Sequence, residues 1–124
     1  DGDGDLDLFL AKDLLGTAGG IENRVYANLG NGRYVGMPGA LPSHVEPSSS
    51  ISLGDVDGDG DLDALVGNGT TGSNNAQIRV VNRLYLNNGN GTFIDGTARL
   101  PSLPPDRTRA VALFDADADG DLDA

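Results

Sequence analysis

At 124 residues, with 38% hydrophobic positions and no cysteine, the chain has the size of one ordinary domain and can build neither a disulfide framework nor a thiolate metal site. A formal net charge of -11 argues against nucleic acid and anionic membranes as partners, since both would repel this surface. No apolar run approaches the roughly 18 residues that a membrane span needs, so no membrane insertion is expected.

The negative charge is concentrated in three short strings, which hold four, five and five of the nineteen acidic residues. The first, DGDGDLD, occupies 1–7, and the apolar run 6–11 after it reads as a strand. At 23–35, NRVYANLGNGRYV reads as two strands around an Asn31-Gly32 turn, because Asn-Gly supplies the positive-φ residues of a tight hairpin. The Pro- and Ser-rich stretch 38–50 reads as a connection. A strand at 51–53 then leads into DVDGDGDLD at 55–63, and the run 62–66 leads out of it. Residues 67–76, rich in Gly, Asn and Thr, predict an exposed loop. At 82–94, NRLYLNNGNGTFI predicts a second hairpin, with Leu84 and Leu86 alternating around Tyr85 and turn residues at Asn88-Gly89 and Asn90-Gly91. After a further Pro-rich connection at 101–109, the apolar run 110–114 enters the third acidic string, DADADGDLD at 115–123. No stretch carries the period of an amphipathic helix.

Two independent motifs recur with nearly one period. Asp1, Asp57 and Asp117 are equivalent at separations of 56 and 60, and the two hairpin strings are offset by 59. A repeat of this length suits a small four-stranded sheet.

The acidic strings follow DxDxDGxxD. Hard ions such as Ca²⁺ take six to eight oxygen ligands, and a tight loop with glycine at its sixth place lets alternate carboxylates converge. Asp55, Asp57, Asp59 and Asp63 are the expected side-chain ligands of the middle loop, with the carbonyl of Asp61. Asp115, Asp117, Asp119 and Asp123, with Asp121, play the same parts in the last loop. The first string keeps Asp1, Asp3 and Asp7, with Asp5 at position seven, but lacks position one and is expected to be weak or empty. An EF-hand would need a bidentate Glu at position twelve, where this chain has Val66 in a strand-like run. A metal-free acidic turn is disfavoured because such dense like charge is costly unless neutralised.

LGDVDGDGDLDALVGN followed by NRLYLNNGNGTFIDGT resembles the FG-GAP or VCBS-type repeat, the blade of integrin-α-like β-propellers. The resemblance covers nearly the whole chain. It implies an all-β fold of about two four-stranded antiparallel blades, with structural Ca²⁺ in the loop between the first and second strands, and a ring of about seven blades. The expected division is a partial first blade at 1–49, a complete blade at 50–108, and the first strand and calcium loop of another at 109–124.

Tyr26 and Tyr85, like Tyr34 and Phe93, stand at matched positions and are expected to pack between blades, and Leu62, Leu65, Val66 and Leu84 to form core. Arg24 and Arg83 are expected to make structural bonds to a carboxylate or carbonyl. His44, the only histidine, lies beside proline and lacks an evident partner for base catalysis. Repetition of the carboxylate clusters argues against a glycosidase, whose acids occur in distinct environments, so no enzyme is expected. Weak all-carboxylate loops fill at extracellular calcium concentrations, which favours a secreted or surface location. The expected role is an adhesion or ligand-recognition scaffold, its protein or glycan ligand unknown. The alternatives are a carbohydrate-binding propeller lectin or the non-catalytic part of a polysaccharide-degrading enzyme. Two blades cannot close a ring, so the chain is expected either to belong to a longer propeller or to form a homo-oligomeric ring, a trimer or tetramer.

Overall fold

The computed structural model describes residues 1–13, 21–71, 78–102, 104 and 107–123. Its regular structure is antiparallel β throughout, with one 3-10 turn at Thr97–Arg99 and no α-helix among the described residues. One sheet holds β1 (Leu8–Leu10), β2 (Arg24–Asn28) and β3 (Tyr34–Gly36) in that order. The second holds β4 (Ser48–Gly54), β5 (Asp63–Asn68), β8 (Arg83–Asn87) and β9 (Phe93–Asp95). Between β5 and β8 the short strands β6 (Thr70–Thr71) and β7 (Ile78–Arg79) form a ribbon of their own.

The two sheets are copies. Tyr26 pairs with Leu8 on one side and Gly36 on the other, as Tyr85 pairs with Ala64 and Asp95. Thus β1, β2 and β3 correspond to β5, β8 and β9, and β4 is the first strand of the second blade. Each hairpin turns through glycines at positive φ, Gly30 and Gly32 in the first copy and Gly89 and Gly91 in the second, three of them in Asn-Gly pairs and Gly30 after Leu29.

β5 is buried along its whole length, as a central strand covered on both faces must be. Ala64, Val66 and Tyr85 form the core on one side, with Phe9, Leu41, Ile51 and Phe93 packed against them. Phe9 of the first blade meets Phe93 of the second edge to face, ring centroids 5.9 Å apart. Leu65 and Leu84 are buried as expected, but Leu62 is 57% exposed. Leu62 lies in the acidic loop, before Asp63 opens β5, and so is outside the strand that both faces cover.

Successive segments join by a repeated backbone contact. Ser48 N–H donates to the Lys12 carbonyl at 2.9 Å, and Thr108 N–H donates to the Asn68 carbonyl at 3.0 Å. The serines of β4 extend the second junction, Ser50 and Ser52 Oγ accepting from the amides of Val111 and Leu113 at 3.2 and 3.0 Å. Gly54 and Gly67 let the following segment come close, since a Cβ at Gly54 would fall 2.5 Å from Leu122 Cδ1 and one at Gly67 2.8 Å from Thr108 Cγ2. Residues 48–50 therefore belong to a strand and not to a connection. Gly67 and Asn68, expected in an exposed loop, end β5 and are buried; 72–76 of that expected loop lie outside the described residues.

Asn68 is the hub of a satisfied polar cluster. Its amide nitrogen donates to Glu46 and to the Val81 carbonyl, both at 2.8 Å, its Oδ1 accepts from Ser48 Oγ at 2.9 Å, and its backbone N–H donates to Asn82 Oδ1 at 3.0 Å. Arg83 closes the cluster with a two-pronged bond to Glu46, the carboxylate partner expected of it. Arg24, at the matched position, is exposed.

Candidate metal centres

The middle acidic string fills the connection from Gly54, the end of β4, to Asp63, the start of β5. It curls around one carboxylate: Asp55 accepts from the backbone amides of Gly58 at 2.8 Å, Gly60 at 2.9 Å and Asp59 at 3.2 Å. That turn is possible because Gly58 and Gly60 adopt φ of 77° and 94°. The Gly60 amide bond is the main reason the Asp55 carboxyl is held below its ordinary pKa, against a smaller desolvation effect.

Asp63 closes the loop from below. It is fully buried; its Oδ2 accepts from Val56 N–H at 2.9 Å and its Oδ1 from Asn87 N–H at 2.8 Å. Burial pushes its carboxyl up, and the charges of Asp57 and Asp59 add to this, while the two amide bonds pull it partly back. Asp55, Asp57 and Asp63 each bring a carboxylate oxygen to within 4.8 Å of the other two. Asp59 stands outside that trio with its Oδ1 accepting from Asp61 N–H at 2.9 Å. The side chain of Asp61 leans on the next hairpin, where a Cβ at Gly89 would fall 2.5 Å from its Oδ2.

The last string repeats this design between Phe114 and Asp123, which form an isolated antiparallel bridge. Asp115 accepts from Gly120 N–H at 3.1 Å, Asp123 from Ala116 N–H at 3.0 Å, and Asp119 from Asp121 N–H at 2.9 Å. Asp115, Asp117 and Asp123 gather within the same 4.8 Å. This loop has alanine where the others have glycine, and Ala118 is held at φ 63°.

In the first string, Asp3 Oδ1 accepts from Asp5 N–H at 2.9 Å and Asp7 Oδ1 from Asn28 N–H at 2.8 Å. Asp7 Oδ2 is engaged by the amino group of Asp1 at 2.6 Å. Among the described residues Asp1, Asp3 and Asp7 do not gather as the other two trios do.

One pair of residues escaped the sequence reading. Asn28 and Asn87 tie acidic loop to hairpin in each blade: each donates its backbone N–H to the loop's final aspartate, its Nδ2 to the carbonyl of Leu6 or Leu62, and accepts from Gly30 or Gly89 N–H at 3.1 Å. Their recurrence at the 59-residue offset inside the hairpin string was the available signal.

Chemically, the two trios present hard oxygen donors only. Ca²⁺ bonds of roughly 2.4 Å place opposite ligands about 4.8 Å apart, so the donor spacing fits such an ion. The side-chain cluster beyond the loops is of another kind. His44 Nε2 lies 3.1 Å from Asp95 Oδ2, and its ring 6.2 Å from that of Tyr85, which burial above all pushes up to about 12. The histidine thus has an acidic partner that its local sequence did not show.

Two sheets with corresponding strand order, an acidic loop leading into β1 and β5 alike, and a backbone junction that repeats from segment to segment define a β-propeller repeat protein. The chain belongs to the FG-GAP-like repeat family, whose repeat matches residues 1–66 and 68–124. Comparisons with curated proteins and with solved structures found no match.

Proposed function

We propose that the chain is a secreted or surface scaffold for adhesion or ligand recognition, in which Ca²⁺ held in the acidic loops is structural. The observation that carries this reading is the gathering of Asp55, Asp57 and Asp63, and again of Asp115, Asp117 and Asp123, at the same place in successive repeats. Asp55, Asp57 and Asp63 with the carbonyl of Asp61 hold the middle ion, Asp59 completing the set by a side-chain rotation; the last loop uses its counterparts. The bound ion supplies positive charge that relieves the repulsion within each loop, and binding to the folded state alone becomes stability. No catalytic role is proposed for any residue. Among the described residues no helix is long and apolar enough to cross a membrane.

The blades work within a ring, either as part of a longer propeller or through copies joined head to tail as a trimer or tetramer. In support, the backbone contact that joins one segment to the next repeats, from Ser48 to Lys12 and from Thr108 to Asn68. A monodisperse monomer in light scattering with calcium rules out the homo-oligomeric ring.

A glycan-binding role has one supporting feature, a cavity of about 480 Å³ between the sheets lined by Tyr26, Tyr85, Arg24 and His44 among others. Its aromatic walls are not open platforms, however: Tyr26 is half-buried and Tyr85 buried. Tyr85 is 2% exposed and Gly36 lies against the Tyr26 ring, while the exposed Tyr34 is not part of the cavity. The scaffold reading is tested by calcium titration calorimetry and by thermal melting with and without excess chelator. Two binding events and a marked drop in melting temperature on chelation are expected; an unchanged melt sinks the reading.

A further inference from the structure

We infer that Arg99 is a built-in competitor for the middle acidic loop, an affinity-setting cation that the neighbouring blade does not have. The 3-10 turn Thr97–Arg99 carries the guanidinium back over the loop of its own blade, where Arg99 Nη1 donates to Asp57 Oδ2 at 3.2 Å. The turn itself is fixed by Thr97 N–H donating to Asp95 Oδ1 and by Arg99 N–H donating to the Gly96 carbonyl, both at 2.9 Å. Asp57 belongs to the trio that converges with Asp55 and Asp63, so the guanidinium engages one of the oxygens that a cation would use.

The preceding blade does not share the arrangement. At the 59-residue offset of the hairpins the counterpart of Arg99 is Ala40, which is buried and carries no charge. Asp117, the counterpart of Asp57 in the last loop, instead accepts from Asp119 N–H at 3.2 Å. The guanidinium therefore sits on the third-position carboxylate of the middle loop, supplied by a turn that in the preceding blade carries alanine. A guanidinium hydrogen-bonded to a ligand carboxylate lowers ion affinity in two ways. It occupies a lone pair that must be given up or shared, and it repels the incoming divalent charge. With Arg99 55% exposed, water and salt screen that repulsion, which limits the effect to roughly three- to tenfold in affinity.

This inference rests on the proposal that the loops bind calcium. The test is calcium titration calorimetry on the full chain in an Asp117→Ala background, so that the middle loop is read alone. Arg99→Gln is expected to tighten calcium binding about three- to tenfold, Arg99→Lys to stay within about twofold, and added sodium chloride to shrink the difference. In excess chelator, Arg99→Gln should melt within a few degrees of the parent, since the arginine is exposed and leaves no hole. Calcium binding by the parent with unchanged or weaker binding by Arg99→Gln overturns the competitor role and leaves the calcium reading intact. Absence of calcium binding in the parent, with Asp117 restored, overturns both.

Discussion

Replacing Asp63 by alanine separates the structural work of the acidic loop from its proposed ion binding. The side chain is fully buried and satisfies two backbone donors, Val56 N–H at 2.9 Å and Asn87 N–H at 2.8 Å. An unpaired buried donor costs about 1–3 kcal/mol, and both donors belong to half-buried residues, so their joint loss lies at about 2–4 kcal/mol. Removal of the carboxylate also relieves its desolvation and its repulsion with Asp57 and Asp59, the effects that push its pKa up. That relief offsets part of the loss, so the expected cost in chelator falls below the roughly 2–4 kcal/mol of the two donors. In calcium the loss grows, because a ligand at a hundred times its dissociation constant adds about 2.7 kcal/mol of stability that the variant forgoes.

The assay is urea denaturation of parent, Asp63→Ala, Asp63→Asn and Asp123→Ala, each in chelator and in calcium. Asp123 is exposed and satisfies a single side-chain-bound amide, that of Ala116, so Asp123→Ala should cost under about 0.5 kcal/mol in chelator and lose its stability only in calcium. Asp63→Asn keeps one acceptor oxygen and should fall between. Equal chelator stabilities for Asp63→Ala and Asp123→Ala would refute the reasoning.

Three further outcomes follow from the loops and hairpins. Ala118→Gly should stabilise the chain by about 0.5–1 kcal/mol in denaturant melts, because an L-residue at φ 63° carries a left-handed strain that glycine lacks, less glycine's greater freedom when unfolded. Gly89→Ala should destabilise by about 1–2 kcal/mol and weaken calcium binding at the middle loop alone, since its φ is 75° and the new methyl would strike Asp61; calorimetry showing unchanged affinity would disconnect hairpin from loop. Burial by itself would raise the Asp95 carboxyl, but bonds from Thr97 and His44 outweigh it and hold the folded pKa below the ordinary value. Its contribution is therefore present above the ordinary carboxylate range and lost as pH falls through the folded value, so Asp95→Asn should flatten the acid limb of a stability-against-pH curve measured in chelator.

Much of this architecture was legible because turn chemistry is local. Asn-Gly pairs and DxDxDG strings demand positive φ at fixed places, and glycines 30, 32, 58, 60, 89 and 91 adopt it. What escaped the reading depends on neighbours distant in sequence. Residues 48–50 look like the end of a polar connection until the segment at 107–113 lies beside β4 and the Ser50 hydroxyl accepts from the Val111 amide. Gly67 and Asn68 have the composition of a loop, yet the glycine makes room for Thr108 and the asparagine is consumed by four hydrogen bonds. His44 finds Asp95 fifty-one residues away, a pairing no local pattern encodes. Arg99 carried no signal for the opposite reason: the reading relied on repetition, and the equivalent residue in the preceding blade is Ala40.

The loop's last carboxylate is where the ion's influence would enter the sheet. Asp63 lies at the start of β5, accepts from Val56 within the loop, and accepts from Asn87 at the end of β8. An ion drawn to its remaining lone pairs would therefore fix three backbone segments through one side chain, those of the loop, the second strand and the third. Asp7 makes the same connection to Asn28 in the first blade, so the link between loop and hairpin belongs to the repeat and not to one copy. Catalytic carboxylates gain from standing free to exchange protons, whereas these are committed to backbone donors on arrival. Under the proposed scaffold function that commitment suits a static, architectural ion, and recognition would fall to other parts of the blades, where residues such as Tyr34 and Arg24 differ from the repeat's fixed scaffold in being exposed.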